Sequence, residues 1–296
     1  MNLSIIIVNY NLIDEIVNLL MSIKIPAVIG YEIILIDNSS ESHVNEYWNI
    51  NKSKFANLHY YPSNNSGFGS ACNYGVKLAK YDNLLFLNPD AIITKWPLIE
   101  MLNDLEEKKD IIVPIIMNRK KIINNGNIKL NIISLLLDLV FMQRFIDNNI
   151  IKIKNKYQNK KYIALNWFSG AAFVIKRKLF LEVGGFNEKY FLYYEDVYLS
   201  FILIELRKNI GINTNWIIEH YESTTTKKNY FNYTYNYYKS KNMYYSMIYR
   251  KNKFKIAISK LLLSINIYEM IILFCFLYPF GRIKYSSKIK ALIKVK

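Results

Sequence analysis

Cysteine is nearly absent from this chain. There are two in 296 residues, Cys72 and Cys275, far apart and without metal-ligand spacing. Neither a disulfide framework nor a thiolate zinc site is expected. Histidine is almost as scarce, with three residues, of which His43 and His59 have no context that points to chemistry. No basic stretch precedes the first apolar run, and Ile5–Val8 is far too short for a signal peptide; a cytoplasmic location is the expectation. There is no internal repeat. Acid is missing from one end: residues 227–296 hold 15 Lys or Arg and a single acid, Glu269, a net of +14. The remaining 24 basic and 22 acidic residues give residues 1–226 a net of only +2. Lys, Asn, Ile and Tyr are abundant throughout, but a general bias of that kind does not remove acids from one segment.

Hydrophobic content of 52% supports a packed core and argues against disorder. The length fits one large domain, or one domain with an appendage. The first part alternates short apolar runs with amphipathic stretches, the pattern of an α/β fold with parallel strands. Strands are predicted at Leu3–Val8, Glu32–Ile36, Asn57–Tyr61, Leu84–Leu87 and Ile111–Ile116. Helices are predicted around Ile13–Ile23, after a loop over Pro62–Gly69 as far as about Lys80, and over Trp96–Glu107. Residues 118–162, rich in Lys and Asn with an apolar island at Ile132–Phe145, read as a variable insertion. Strands at Ala164–Phe168 and Ala171–Ile175 follow, then a break at Gly184-Gly185, a helix over Tyr194–Leu206 and a strand at Trp216–Glu219. Past residue 227 the chain is rich in Tyr and Lys.

Chemistry is concentrated where strands end. Leu84-Leu85-Phe86-Leu87 runs directly into Asn88-Pro89-Asp90. Ligands of open α/β sheets bind at the carboxyl ends of strands. Pro89 fixes its own φ and biases Asn88 toward an extended conformation, which holds Asp90 at a set angle. A carboxylate held there can grip a divalent cation, and the cation a diphosphate; a turn or helix cap is the structural alternative. Asp37 ends the second strand, either to accept hydrogen bonds from a base or ribose or to close a turn with Asn38 and Ser39. In Asn65-Ser66-Gly67-Phe68-Gly69 the glycines permit close approach of backbone to a ligand, as they also permit a tight turn. Tyr194-Glu195-Asp196 sets two acids at a helix start, where the helix dipole alone would favour them. The apolar approach Tyr190–Tyr194 would raise a carboxyl pKa, as suits a general base. His220 follows a strand and precedes hydroxyls and two lysines, a context that fits a metal or diphosphate site.

These pieces, in this order, resemble glycosyltransferase family 2, the inverting enzymes of GT-A fold, and within it the rhamnosyltransferase-like branch. The resemblance is carried by Ser4–Asn11, Leu35–Ser40, Asn65–Gly69 with Asn73, Leu87–Asp90, Phe168–Ala171, and Gly184-Gly185-Phe186 leading to Tyr194-Glu195-Asp196. It implies a Rossmann-like, mostly parallel sheet flanked by helices, with a helical, basic C-terminal appendage. It implies a catalytic domain over 1–228, with a nucleotide-sugar half at about 1–117 and an acceptor half at about 162–228, and a membrane-associated region over 229–296. Asn9, Asp37, Asn65, Gly67, Asn73 and Asn88 would hold a nucleoside-diphosphate sugar. Asp90, closing a DxD-like motif, and His220 would hold Mg²⁺ or Mn²⁺. Asp196 would be the base, with Glu195 beside it, and Trp167, Ser169 and Gly170 would line the acceptor side. Two departures stand out: Asn88 and Pro89 occupy the first two positions of the DxD-like motif, and Tyr198 stands where many relatives carry an acid. The reaction implied is inverting transfer of a sugar, rhamnose first, to a hydroxyl of a lipid-linked glycan in surface polysaccharide synthesis.

Leu261–Tyr278 is a mostly apolar run of 18 residues with Asn266 and Glu269 near its middle and cations at both ends. A central carboxylate disfavours spanning, and a helix lying on an anionic membrane surface explains the flanking charge, placing the chain peripherally on the inner face of the cell membrane. Nucleic acid, the other partner for so basic a tail, is disfavoured by the apolar run. Two alternative functions fit less well. A sugar nucleotidyltransferase would carry a Gly-rich basic loop after the first strand, where Asn9-Tyr10-Asn11-Leu12 stands. An inactive membrane- or partner-binding module would not need Asp37, Asp90 and Asp196 together.

Overall fold

Residues Leu3 to Asn9 are all buried, which a strand achieves only when both of its faces are covered. The computed structural model describes residues 1–118, 121–123, 126, 130–139, 161–220 and 229–295. The chain begins β1 (Asn2–Asn9), α1 (Asp14–Ser22), β2 (Gly30–Asp37), α2 (Ser42–Asn51), β3 (Leu58–Pro62), α3 (Phe68–Leu78) and β4 (Asn83–Leu87). It continues β5 (Ala91–Lys95), α4 (Leu98–Glu107), β6 (Ile111–Asn118), β7 (Lys121–Ile122), α5 (Ile132–Leu139), β8 (Tyr162–Ala164), β9 (Ala172–Lys176) and α6 (Arg177–Glu182). It ends α7 (Glu195–Glu205), β10 (Ile210–His220), α8 (Tyr230–Ile248), α9 (Lys253–Leu277) and α10 (Arg282–Val295).

Two compact units result. The first holds residues 1–126, 156–191 and 195–222, and the second 127–155, 192–194 and 223–296. The first is built on one sheet of order β3-β2-β1-β4-β9-β6-β10-β5, with β7 beside β6 and β8 beside β10. From β3 to β4 the strands are parallel. Beyond that the sheet is mixed, because β9 runs antiparallel to both β4 and β6, while β10 is parallel to β6 and antiparallel to β5. The alternation of β1 sorts its side chains: Leu3, Ile5 and Ile7 face α1, α2 and α4, packing with Leu19, Trp48 and Met101. Ile6 and Val8 face α3, α6 and α7, packing with Cys72, Val76, Phe180 and Leu203.

Most predicted elements lie within a residue or two of their place, and the exceptions have physical reasons. The stretch Ala164–Phe168 keeps only Ala164 in β8. Backbone donors beyond it are taken elsewhere: Asn166 N–H bonds Gly126 O at 2.8 Å, and Phe168 N–H bonds Ser200 Oγ at 3.1 Å. Helix α2 and strand β5 have no counterpart in the sequence reading. In α2 only Val44 and Trp48 are buried, too sparse a stripe to register as periodicity.

In the second unit the start of the apolar island forms α5. Ile132 N–H donates to Tyr249 Oη at 3.1 Å, and Ser134 Oγ lies 3.2 Å from Tyr245 Oη. Ile267 and Phe274 of α9 and Leu292 of α10 form a small core, with Tyr238 of α8 packed on it. The rest of the island, residues 140–145, lies outside the described residues.

Candidate active site

The carboxyl ends of β2, β1 and β4 and the start of β9 form one row. Asn9 pairs with Asp37, Ile7 with Leu87, and Leu87 with Ala172. The turn after each strand therefore opens on the same edge. At β2, Asp37 is buried and both its oxygens are engaged. Oδ1 accepts from the Ser39 N–H at 3.0 Å and from the Ser39 hydroxyl, and Oδ2 lies 2.7 Å from the Tyr60 hydroxyl. Burial, followed by that carboxylate, pushes the Tyr60 pKa well up. Ser39 Oγ also takes the Asn11 N–H at 2.7 Å and lies 3.3 Å from Asn9 Nδ2, while Asn9 Oδ1 accepts from Leu12 N–H at 3.0 Å. The turn at Asp37, one of its two readings, is present, and Asn9 ties the two loops together. Tyr60 carries no signal in the sequence, since a tyrosine in a buried strand reads as core.

At β4, Asn88, Pro89 and Asp90 make a tight turn closed by Ala91 N–H to Asn88 O at 3.1 Å. The antiparallel pairing of His220 with Ala91 brings the end of β10 to this turn. His220 Nε2 lies 3.0 Å from Asp90 Oδ1 and 3.4 Å from Asn88 Nδ2, with Asp90 buried. Three side-chain carbonyls near these turns, Oδ1 of Asn11, Asn38 and Asn88, are buried without a hydrogen-bond partner among the described residues. Buried acceptors of this kind call for an unseen donor or cation. A carboxylate, an imidazole and an amide oxygen suit a hard or borderline divalent ion. Among the described residues no three His, Cys, Asp or Glu side chains converge. Asp90 and His220 are the two side chains at this turn whose donor atoms could serve such an ion.

At β9 the preceding turn meets α7. Gly170 N–H donates to Asp196 Oδ2 at 2.7 Å, and Val197 N–H to Asp196 Oδ1 at 2.7 Å. Ser200, wholly buried, donates to Asp196 O at 2.7 Å and receives the Phe168 N–H, clamping the first turn of α7 to the 168–170 turn. A serine one turn beyond Asp196 in an apolar helix was the available signal for that clamp. Asn88 N–H donates to Ala171 O at 2.8 Å, which joins this turn to the one carrying Asp90. Burial raises the Asp196 pKa, and the N–H donors of Gly170 and Val197 hold the rise back. Glu195 is buried, its Oε2 has no hydrogen-bond partner among the described residues, and burial followed by the Asp196 charge raises its pKa well above the carboxylate norm.

A stability prediction follows from Glu195. Its folded pKa is raised, so the protonated form suits the fold, and its contribution is lost as pH rises from the ordinary carboxylate range through the elevated value. Thermal unfolding of the wild type across that range should show a loss of stability toward higher pH that Glu195→Gln largely removes. Identical pH profiles for the two proteins would refute a buried, neutral Glu195.

The other candidates are placed as follows. Gly67, at φ +103°, has its Cα against the Phe191 carbonyl: a Cβ there would lie 2.4 Å from Phe191 O. Asn65 is exposed, with Oδ1 accepting from Gly67 N–H at 3.4 Å. Asn73, expected at the nucleotide sugar, is hydrogen-bonded within the protein. Its Nδ2 donates to Phe186 O at 2.8 Å and to Glu188 Oε1 at 2.9 Å, and its Oδ1 accepts from Phe186 N–H at 2.9 Å. The whole amide is engaged in holding the segment after Gly185. Ser169 Oγ accepts from Ala171 N–H at 3.2 Å, and Trp167 is half-buried in the same turn. The hydroxyls and lysines at 223–228, read as companions of His220, lie outside the described residues.

A model of the family described as Glycosyl transferase family 2 matches residues 4–184, more than half of the chain. The chain belongs to glycosyl transferase family 2. The low-salt glycan biosynthesis hexosyltransferase Agl10 of Haloferax volcanii is 26% identical over 225 residues, covering 74% of this chain and 66% of that protein. Among solved structures, GalNAc-T7 with UDP, GalNAc and Mn²⁺ matches with a TM-score of 0.58 at 16% identity, covering 74% of this chain and 43% of that one. The S. aureus TarS 1–349 complex with UDP-GlcNAc matches with a TM-score of 0.53 at 14% identity, covering 100% of this chain and 90% of that one. At these identities the structural likeness shows the fold, which is of GT-A type. This family 2 chain spans 66% of the length of the curated relative and 43% of GalNAc-T7.

Proposed function

We propose that the chain is an inverting glycosyltransferase that moves a sugar from a nucleoside-diphosphate sugar to a hydroxyl of a lipid-linked glycan. The observation that carries this reading is the hydrogen-bonded path from the Asp90 turn through Ala171 and Gly170 to Asp196. It sets a metal-type pair and a carboxylate of raised pKa on one sheet edge. Inverting transfer is a single displacement at the anomeric carbon and needs one base and no protein nucleophile. Asp196 takes the acceptor proton. Its two backbone donors fix its orientation, and the turn containing Trp167, Ser169 and Gly170 forms the acceptor side. Glu195, turned into the core, supports the helix start and is not the base. Asp90, His220 and Asn88 would hold Mg²⁺ or Mn²⁺, which when bound neutralises charge on the leaving diphosphate. Asp37 and Asn9 shape the nucleoside pocket, where the unpartnered oxygens of Asn11 and Asn38 meet the N–H and O–H donors of a base and ribose. The Mn²⁺ and UDP of GalNAc-T7 and the UDP-GlcNAc of TarS support a donor of this class.

The test is a thermal-shift screen of nucleotide sugars with Mn²⁺, followed by transfer to lipid-linked acceptors with the anomeric outcome read by NMR. Deoxythymidine-diphosphate rhamnose and UDP-GlcNAc are the first donors to compare. Retention at the anomeric carbon, or no donor stabilised by Mn²⁺, would end the reading.

The catalytic region of this proposal is residues 1–228, and residues 229–296 attach the enzyme peripherally to the inner face of the cell membrane. The excess of cations there and the long apolar helix Lys253–Phe280 support that attachment. Deleting residues 253–296 should abolish co-sedimentation with anionic vesicles, with folding verified by circular dichroism. Equal binding of a folded truncated chain would overturn it.

A further inference from the structure

We propose that one face of α9 is the lipid-contacting surface of this chain, and that the helix lies in the interfacial zone of an anionic bilayer without crossing it. The proposal rests on the peripheral attachment above and names the residues that make it. Phe254, Leu261, Ile265, Tyr268, Ile272 and Phe276 are between 39% and 75% exposed. At about 100° per residue these six fall within an arc of about 80°. The stripe therefore runs along one line for the whole helix. Phe280 and Ile283, more exposed still, continue the apolar surface past the helix end. The opposite face is used internally: Leu263, Ile267 and Phe274 are buried, and Ile267 and Phe274 pack with Leu292 of α10. A continuous apolar stripe on the outside of a folded unit marks an interaction surface.

Charge identifies the occupant. Lys253, Lys255 and Lys260 attend the start of the stripe, and Arg282 and Lys284 follow its end, with no Lys or Arg between Leu261 and Gly281. Lys253 and Lys255 fall about 100° to either side of the stripe, where long side chains reach headgroups while the apolar line enters the acyl boundary. Anionic lipid complements this pattern. A second copy of the chain would set a segment of net +14 against itself. Crossing the bilayer is disfavoured by what packs on the inner face. Helix α10 lies along α9 and carries Arg282, Lys284, Lys288, Lys290 and Lys294, which would follow it into hydrocarbon.

The experiment uses the full chain with vesicles of phosphatidylcholine, with and without phosphatidylglycerol. A nitrobenzoxadiazole label on Cys275, which is exposed beside Phe276, reports polarity, since Cys72 is buried. Vesicles containing phosphatidylglycerol should shift its emission to the blue. Ile272→Gln with Phe276→Gln should weaken vesicle binding about tenfold or more, from the apolar area withheld. Leu181→Gln, an exposed apolar position on α6, should change nothing. If the double variant binds like the wild type while the 253–296 deletion does not, attachment stands and the stripe is wrong. Absence of binding by the wild type would overturn attachment itself. Resistance of the wild type to alkaline extraction would make the helix a spanning one. A dimer that dissociates in the double variant, without vesicle binding, would identify the stripe as a self-association surface.

Discussion

Asp196→Asn should bind donor like the wild type and lose turnover by about 10²–10⁴-fold, the usual contribution of a general base. The amide is nearly isosteric, and its oxygen can still accept the Gly170 N–H that holds Asp196 Oδ2 at 2.7 Å. The clamp through Ser200 uses the Asp196 backbone carbonyl and is untouched. The amide gives up one of the two acceptors, the one that meets the Val197 N–H at 2.7 Å, so circular dichroism should first show an unchanged fold; with proton acceptance lost, kcat should fall while donor affinity stays. The wild-type rate should also fall as pH drops through the raised Asp196 pKa, since only the ionised carboxylate takes a proton. Steady-state kinetics with Glu195→Gln alongside separates the neighbours. Near wild-type kcat in Asp196→Asn with a dead Glu195→Gln would move the base by one residue, against the burial of Glu195.

Asp90→Ala should abolish transfer and remove the Mn²⁺-dependent part of nucleoside-diphosphate affinity while leaving the fold intact. Asp90 is buried and lies 3.0 Å from His220. Its loss leaves His220 and Asn88 without a carboxylate, too few ligands to hold a hard cation against water. The β4–β5 turn survives because its closing bond, Ala91 N–H to Asn88 O, is between backbone groups. Calorimetry with nucleoside diphosphate, with and without Mn²⁺, reads the effect. An unchanged Mn²⁺ increment would remove Asp90 from the metal site. The same increment should be weakened, not lost, in His220→Ala, which keeps the carboxylate.

Much of this was legible beforehand for local reasons. Both faces of β1, β2 and β4 are covered, so their residues form unbroken apolar runs that end abruptly at Asn9, Asp37 and Asn88. Asp196 sits at a helix start that its apolar approach announces. The bonds of Asn73 to the Phe186 segment were not legible, because an asparagine near a glycine loop reads alike whether it meets a ligand or a backbone. Helix α2 was invisible because two buried side chains make no period.

The chain's own order of residues therefore determined the α/β class, the strand ends at which the polar candidates stand, the neutral front and cationic tail, and the apolar helix within that tail. These depend on neighbours in the sequence, through propensity, burial of runs and charge. Tertiary structure alone decided that His220 meets Asp90, since it takes the antiparallel pairing of β5 with β10 to bring distant residues within hydrogen-bond reach. It decided that Asn73 holds the Phe186 segment, and that Glu195 faces the core while Asp196 meets Gly170. It also decided which line of α9 is left outside once α10 covers the other. Each of these outcomes is a choice among partners for a buried polar group or an apolar face, and such partners are supplied only by elements remote in the chain.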